Sequence, residues 1–305
     1  MRSLVSADFS GLTLVTPNVI EFLLSCYTLS RLPRPVYFYS IIELICKWKS
    51  YAVIIEGCLV VFRVSRMYGN NSCIVYFSPI SMSNDVKSEK MVVAMLLKAG
   101  FSIRLTASEV NRLGLNLRAS KAKKDAGSPE FIYSIKDTLE MNGKKYKAIR
   151  NAVHRFDSRG GTVKYEYDPR VSDIVLDWAK KKGLNYKKYL GFLETQVTDG
   201  LIYFTTIYVD GVVQGFTLME KLGDYYASSL GVNNHDSEFD LVPALHYYSV
   251  FNLPTKDTYF TTGAGRFPGL AVQKRRLQPF LEEAIYRIPA LVQSAHAYDL
   301  VKEFL

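Results

Sequence analysis

The stretch from Leu201 to Val232, LIYFTTIYVDGVVQGFTLMEKLGDYYASSLGV, constrains the fold more than any other part of this 305-residue chain. Runs rich in β-branched and aromatic residues are split by Asp210-Gly211 and by Gly223-Asp224. Both dipeptides suit the positive-φ positions of a tight hairpin, so three consecutive antiparallel strands are expected. Before them come a strand at Val163 to Tyr167, a helix from Ser172 (its N-cap) to about Lys182, stopped by Gly183, and a helix from Tyr186 to Thr198. After them come a helix Leu241 to Asn252, a strand Thr258 to Thr262, a helix Gly269 to Arg276 and a last strand Phe280 to Tyr286. The pattern is that of a mixed sheet flanked by helices, an α/β (α+β) class.

The first half repeats that mixture with fewer polar groups. It reads as a helix Pro17 to Leu29, an apolar segment Val36 to Lys47, and strands Tyr51 to Ile55 and Cys58 to Val64 across Glu56-Gly57. A strand Cys73 to Phe77 follows the turn Gly69-Asn70-Asn71, then a helix Lys90 to Ala99 stopped by Gly100 and a strand Phe101 to Leu105. Between Arg118 and Pro129, RASKAKKDAGSP is polar and basic with no apolar anchor, as in a linker or in a loop laid against phosphates. The expected division is a scaffold domain 1–118, a basic linker 119–129 and a catalytic domain 130–305.

Composition excludes several classes. The chain is 48% hydrophobic and 22% charged, which fits a folded globular protein. No apolar run reaches the length of a membrane span, and MRSLVSADFSGLTL has too short an apolar core for a secretory signal, so a cytoplasmic protein without stable membrane insertion is expected. Cys26, Cys46, Cys58 and Cys73 have no zinc-type spacing and read as buried thiols; no metal site is expected.

The positive charge is local. Thirteen Lys or Arg face five Asp or Glu between Met141 and Leu190. Its centre is GKKYKAIRNAVHRF, Gly143 to Phe156, where Tyr146, Ile149, Val153 and Phe156 repeat at helical spacing. Lys144, Lys145, Lys147, Arg150, His154 and Arg155 cover the rest. Such a helix is either a solvated face or a site for a polyanion.

The segment Phe131 to Phe156, FIYSIKDTLEMNGKKYKAIRNAVHRF, resembles the soluble relatives of the phosphatidylglycerol lysyltransferase C-terminal domain. Asp137, Leu139, Gly143, Lys144, Lys145, Tyr146, Arg150, Asn151 and Phe156 occupy the places of that family's motif, and the resemblance runs from about Leu12 to Ile288. It implies two GNAT-like (acyl-CoA N-acyltransferase fold) domains in tandem, and transfer of amino acids from aminoacyl-tRNA or related donors to amines and hydroxyls. The element order of the second half is the GNAT order. Glu220 matches a family glutamate suited to taking a proton or holding an α-ammonium group, and otherwise reads as a strand-end charge beside Lys221. Lys274 matches a family lysine.

The departures are as informative. Where the family has Asn-Arg-Glu, this chain reads Phe260 to Gly265, FTTGAG, making Thr261 and Thr262 the candidate catalytic groups beside Glu220. The glycines Gly263, Gly265 and Gly269, with Arg266, Lys274, Arg275 and Arg276, read as a phosphate cradle or as a tight turn. The segment Val232 to Tyr248 has no glycine loop and carries Asp236, Glu238 and Asp240, which argues against acetyl-CoA; no cofactor is expected. The favoured reading is an amino-acid transferase on a phosphate-bearing substrate, with nucleic acid, DNA or tRNA, as partner. Its sharpest form resembles phage-encoded transferases that place an amino acid on a pyrophosphorylated 5-hydroxymethyl base. The rivals are an aminoacyl-tRNA-dependent transferase onto a small molecule, peptide or lipid headgroup, and an inactive nucleic-acid-binding module.

Overall fold

The computed structural model describes residues 8–14, 50–67, 70–124, 129–181, 183, 190, 202–222, 225–234, 237, 240–264, 268–292 and 295–302. The expected helices Pro17 to Leu29 and Tyr186 to Thr198, the segment Val36 to Lys47 and the turn Gly223-Asp224 lie outside them. The chain forms two compact units, Met1–Glu130 with Glu283–Leu305, and Phe131–Glu282.

The first unit carries β1 (Thr13–Leu14), β2 (Ser50–Ile55), β3 (Cys58–Met67), β4 (Asn70–Val75), β5 (Ile80–Ser81), α1 (Val86–Lys98), β6 (Ser102–Thr106), α2 (Ala107–Arg112) and β7 (Lys123–Lys124). Asn70 and Asn71 pair with Met67 and Arg66 inside the β3–β4 ladder instead of forming the expected turn. Helix α1 starts before the expected Lys90, because Asp85 caps it by accepting from the backbone N–H of Lys87 at 3.0 Å and Ser88 at 3.2 Å. It buries Val92, Val93, Leu96 and Leu97 against Phe62, Val75, Phe101 and Ile103. Each such side chain contributes about 1.5–3 kcal/mol of transfer free energy. Cys58 and Cys73 sit in this core, where burial pushes each thiol up to about 12.

The second unit follows the chain through β8 (Glu130–Ser134), α3 (Ile135–Glu140), a 3-10 turn at Lys144–Tyr146, α4 (Lys147–Ser158), β9 (Gly161–Lys164) and α5 (Val171–Lys181). It continues through β10 (Ile202–Val209), β11 (Val212–Leu222), β12 (Tyr225–Asn233), α6 (Val242–Phe251), β13 (Tyr259–Ala264), α7 (Pro268–Arg276) and β14 (Leu281–Glu283). Strand order is β14-β8-β13-β12-β11-β10-β9. The β10–β11 hairpin forms as expected, with Asp210 and Gly211 at φ 50 and 75. Ser172 lies inside α5 and is not its cap.

Alternation assigns the side chains to two faces. Ile207, Met219, Tyr226 and Phe260 pack beneath α6 with Phe131, Tyr133, Phe156 and Val250. Phe204, Thr206, Tyr208, Leu218 and Glu220 take the other face. There the Tyr167 ring lies 5.5 Å from that of Phe204, tilted by 52°, and Tyr208 donates to Asp168 at 2.9 Å just before α5.

The division differs from the expected one at both ends. Lys123 and Lys124, expected in a linker, form β7 and pair with Arg287 and Tyr286 of β15 (Ile285–Ile288). The run Phe280 to Tyr286, expected as one strand, breaks at Ala284, whose carbonyl accepts from the N–H of Ala107 at 2.8 Å. β14 belongs to the second sheet and β15 to the first, between β6 and β7. The last described helix is α8 (Ala295–Val301), whose Ala297 and Val301 are buried in the first core.

Candidate active site

The second sheet opens between its parallel strands. β12 and β13 pair at Tyr226↔Phe260 and Ala227↔Thr261, and no further pairing joins them among the described residues. Beyond that point β12 carries a bulge, since Leu218 faces Leu230 and Met219 faces Ser228, which leaves Ser229 as the extra residue. The bulge turns the Ser229 hydroxyl toward Glu220, to whose carboxylate it donates. Glu220 is 3% exposed, too buried for the strand-end surface charge that was the alternative reading.

Registers place Glu220, Ala227 and Thr261 in one row across β11, β12 and β13. All three are buried. Thr261 accepts from the N–H of Gly263 at 3.0 Å, a turn that Gly263 makes at φ 72. Thr262 points to the opposite face, and its hydroxyl oxygen is buried without a partner among the described residues. Of the three candidate catalytic residues, two therefore share a face and the third does not.

Three cations of the expected phosphate cradle, Lys274, Arg275 and Arg276, are engaged elsewhere. Lys274 is buried, and its Nζ donates to the carbonyls of Thr262 and Gly263, the latter at 2.7 Å. These carbonyls lie past the last β12–β13 pair, and a buried backbone acceptor needs a donor. Arg275 is paired with Glu282, and Arg276 with Asp240 at 3.0 Å. Arg266, Gly265, Asp236 and Glu238 lie outside the described residues.

The basic helix has the expected two-sided character. Tyr146, Ile149, Val153 and Phe156 are buried, while Lys144, Lys145, Lys147, His154 and Arg155 are exposed. Arg150 is exposed as well, and its guanidinium folds back onto the carbonyls of Met141 and, at 3.0 Å, Gly143. It holds the bend into the helix. Helix α4 packs with α6 beneath the face opposite Glu220, so the sheet lies between the basic residues and the carboxylate.

Two polar groups had no sequence signal. Ser229 matters because of a bulge that no local pattern encodes. His246 lies in α6 with its ring 4.8 Å from Tyr133 and 5.1 Å from Phe260. Burial lowers its pKa to about 3, so the imidazole is neutral.

Two mixed sheets flanked by helices are the architecture of two GNAT-like units, and the family model that matches the chain is one of transferases. The chain belongs to the phosphatidylglycerol lysyltransferase C-terminal family, whose model matches residues 47–289. It is similar in fold to a conserved protein of unknown function from Bacteroides thetaiotaomicron, with TM-score 0.64 and 16% identity over 87% of this chain and 90% of that one. The C-terminal domain of a putative lysylphosphatidylglycerol synthetase from Agrobacterium fabrum gives TM-score 0.61 and 12% identity over 92% and 95%. FemX gives TM-score 0.58 and 11% identity over 95% and 99%. No curated protein matches the sequence. Among the described residues no helix is long and apolar enough to cross a membrane.

Proposed function

We propose that the protein moves an aminoacyl group from aminoacyl-tRNA to an amine or hydroxyl, with Glu220 as the proton acceptor. The observation that carries this reading is the opening between β12 and β13, with the Glu220 carboxylate held by Ser229 at its edge. The acceptor's nitrogen or oxygen attacks the ester carbonyl, and its proton passes to the carboxylate. The new acyl bond forms as the bond to the ribose oxygen breaks, and that oxygen leaves protonated. An ester arm lying in the opening has one end on each face of the sheet. That geometry supports holding tRNA phosphates at the exposed Lys144, Lys145, Lys147 and Arg155 on the α4 side.

The second reading is transfer of an amino acid to a pyrophosphorylated base in DNA. It draws on the same basic helix. It also requires cations at the departing pyrophosphate, and Lys274, Arg275 and Arg276 are engaged with carbonyls or carboxylates. This favours the ester donor.

The test supplies radiolabelled aminoacyl-tRNA with separate amine, lipid-headgroup, peptide, plain-DNA and modified-DNA acceptors. Label leaving the tRNA for an acceptor, and staying on tRNA with Glu220→Gln, is the expected result. Label that remains on tRNA throughout, while free amino acid enters pyrophosphorylated DNA, would replace the first reading by the second.

A further inference from the structure

Beside the basic helix runs a strip of aromatic rings that the transfer chemistry does not use. Phe251, at the end of α6, is 53% exposed, and its ring lies 6.2 Å from that of Tyr247. Tyr247 lies 5.0 Å from Tyr248, edge to face, and both are partly exposed where they pack on Tyr146, Ile149 and Val153. Tyr165 is 40% exposed; burial of the rest of its ring, and after it the neighbouring Tyr247, raise its phenol above the ordinary value. A soluble surface seldom leaves several large rings together without a use.

Charge surrounds the strip. Helical spacing puts Lys147, Arg150, His154 and Asp157 along one edge of α4, and Asp157 accepts from Tyr248 at 2.6 Å, which locates that edge beside the rings. At the far end the Lys256 Nζ lies 5.6 Å from the centre of the Phe251 ring. Asp157 is an acidic group at this edge, and it accepts the Tyr248 hydroxyl's hydrogen bond.

Partly exposed rings bordered by cations suit a ligand with flat apolar faces on an anionic backbone. Duplex nucleic acid hides its base faces in its own stack, so only its phosphates can meet such a surface. Unpaired nucleotides offer both, and each base stacked on a ring adds affinity with little regard to sequence. We infer that the α4–α6 surface binds single-stranded nucleic acid, with unpaired bases stacked on Phe251, Tyr247 and Tyr165 and phosphates on the Lys147–His154 edge. The inference rests on the proposed nucleic-acid substrate and narrows it to an unpaired segment.

Fluorescence anisotropy of the whole chain with a labelled oligo-dT strand, and with a duplex of equal length, tests this without any transfer step. The single strand should bind more tightly at every salt concentration. Phe251→Leu and Tyr165→Leu, chosen because both rings are substantially exposed and leucine keeps an apolar side chain, should each weaken single-strand binding roughly 5- to 100-fold. Duplex binding and the salt slope should stay as in the wild type. Lys147→Gln should lower the slope for both forms. A duplex that binds as tightly as the single strand, or wild-type affinity in a Phe251→Leu, Tyr165→Leu double variant with an unchanged melting temperature, would overturn the inference. If no aminoacyl transfer is found but the strand preference and its loss on substitution hold, the surface assignment stands and the proposed chemistry falls. Transfer from aminoacyl-tRNA by a protein without the preference gives the reverse.

Discussion

Glu220 and Lys274 are both ionisable groups in a mostly apolar interior, and their surroundings give them different work. Glu220 meets the hydroxyl of Ser229 at the opening of the sheet, where a proton can be accepted. Glu220→Gln keeps the shape and removes the proposed base, so single-turnover transfer should fall roughly 10²- to 10⁴-fold while nucleic-acid affinity is retained. Lys274 closes the end of β13 through two backbone carbonyls. Lys274→Met leaves those carbonyls without that donor and should cost about 1–3 kcal/mol in denaturant unfolding, with nucleic-acid binding unchanged. Lost binding at unchanged stability would return Lys274 to a phosphate-binding role. His246 supplies a pH test. Its folded value of about 3 lies below the ordinary 6.5, so between the two the unfolded chain binds a proton that the native chain does not. Its contribution is complete above the ordinary value and is lost as pH falls through that window. His246→Phe should flatten the acid limb of a stability-against-pH curve, and an unchanged limb would show that His246 is not the group responsible.

At the scale of elements, α4 was legible in the sequence because Ile149, Val153 and Phe156 recur at helical spacing, and the structure buries those three. The exposed face follows from the same period. Replacing Lys144, Lys145, Lys147 and Arg155 by Gln should weaken nucleic-acid binding without unfolding the unit. Each lost phosphate contact should lower the slope of log affinity against log salt by about 0.9 on duplex DNA and about 0.7 on single strands. A folded quadruple variant with full affinity and slope would mark α4 as a solvated face. Hairpin turns were equally legible, because Asp210-Gly211 carries its backbone geometry in two residues. Helix α2 was missed, although Thr106 and Glu109 form a capping box whose spacing is visible in the chain. Six residues between two strands give too little period to notice.

For the whole molecule, the informative segment is Glu283–Leu305, which continues the chain from the second unit and completes the first. β15 stands between β6 and β7, so a chain ending at Glu282 loses an interior strand of the first sheet and the buried Ala297 and Val301. In such a chain the first unit should lose its cooperative unfolding transition and expose amides of β6 to hydrogen exchange. Full protection of β6 there would show that β15 is dispensable. By itself the sequence determined the class of fold, the order of most elements in the second half and the two-sided basic helix. These depend on periodicities and turn residues that act over a few positions. It also carried the family motif at Gly143 to Phe156. Only the tertiary structure decided that Glu220 shares a face with Thr261 and not with Thr262, that Ser229 reaches Glu220, and that Lys274, Arg275 and Arg276 are engaged. It alone set the basic helix across the sheet from the carboxylate and sent the last strands to different sheets. Each of these turns on register and strand pairing, and one residue of shift or bulge moves a side chain to the other face without altering any local pattern.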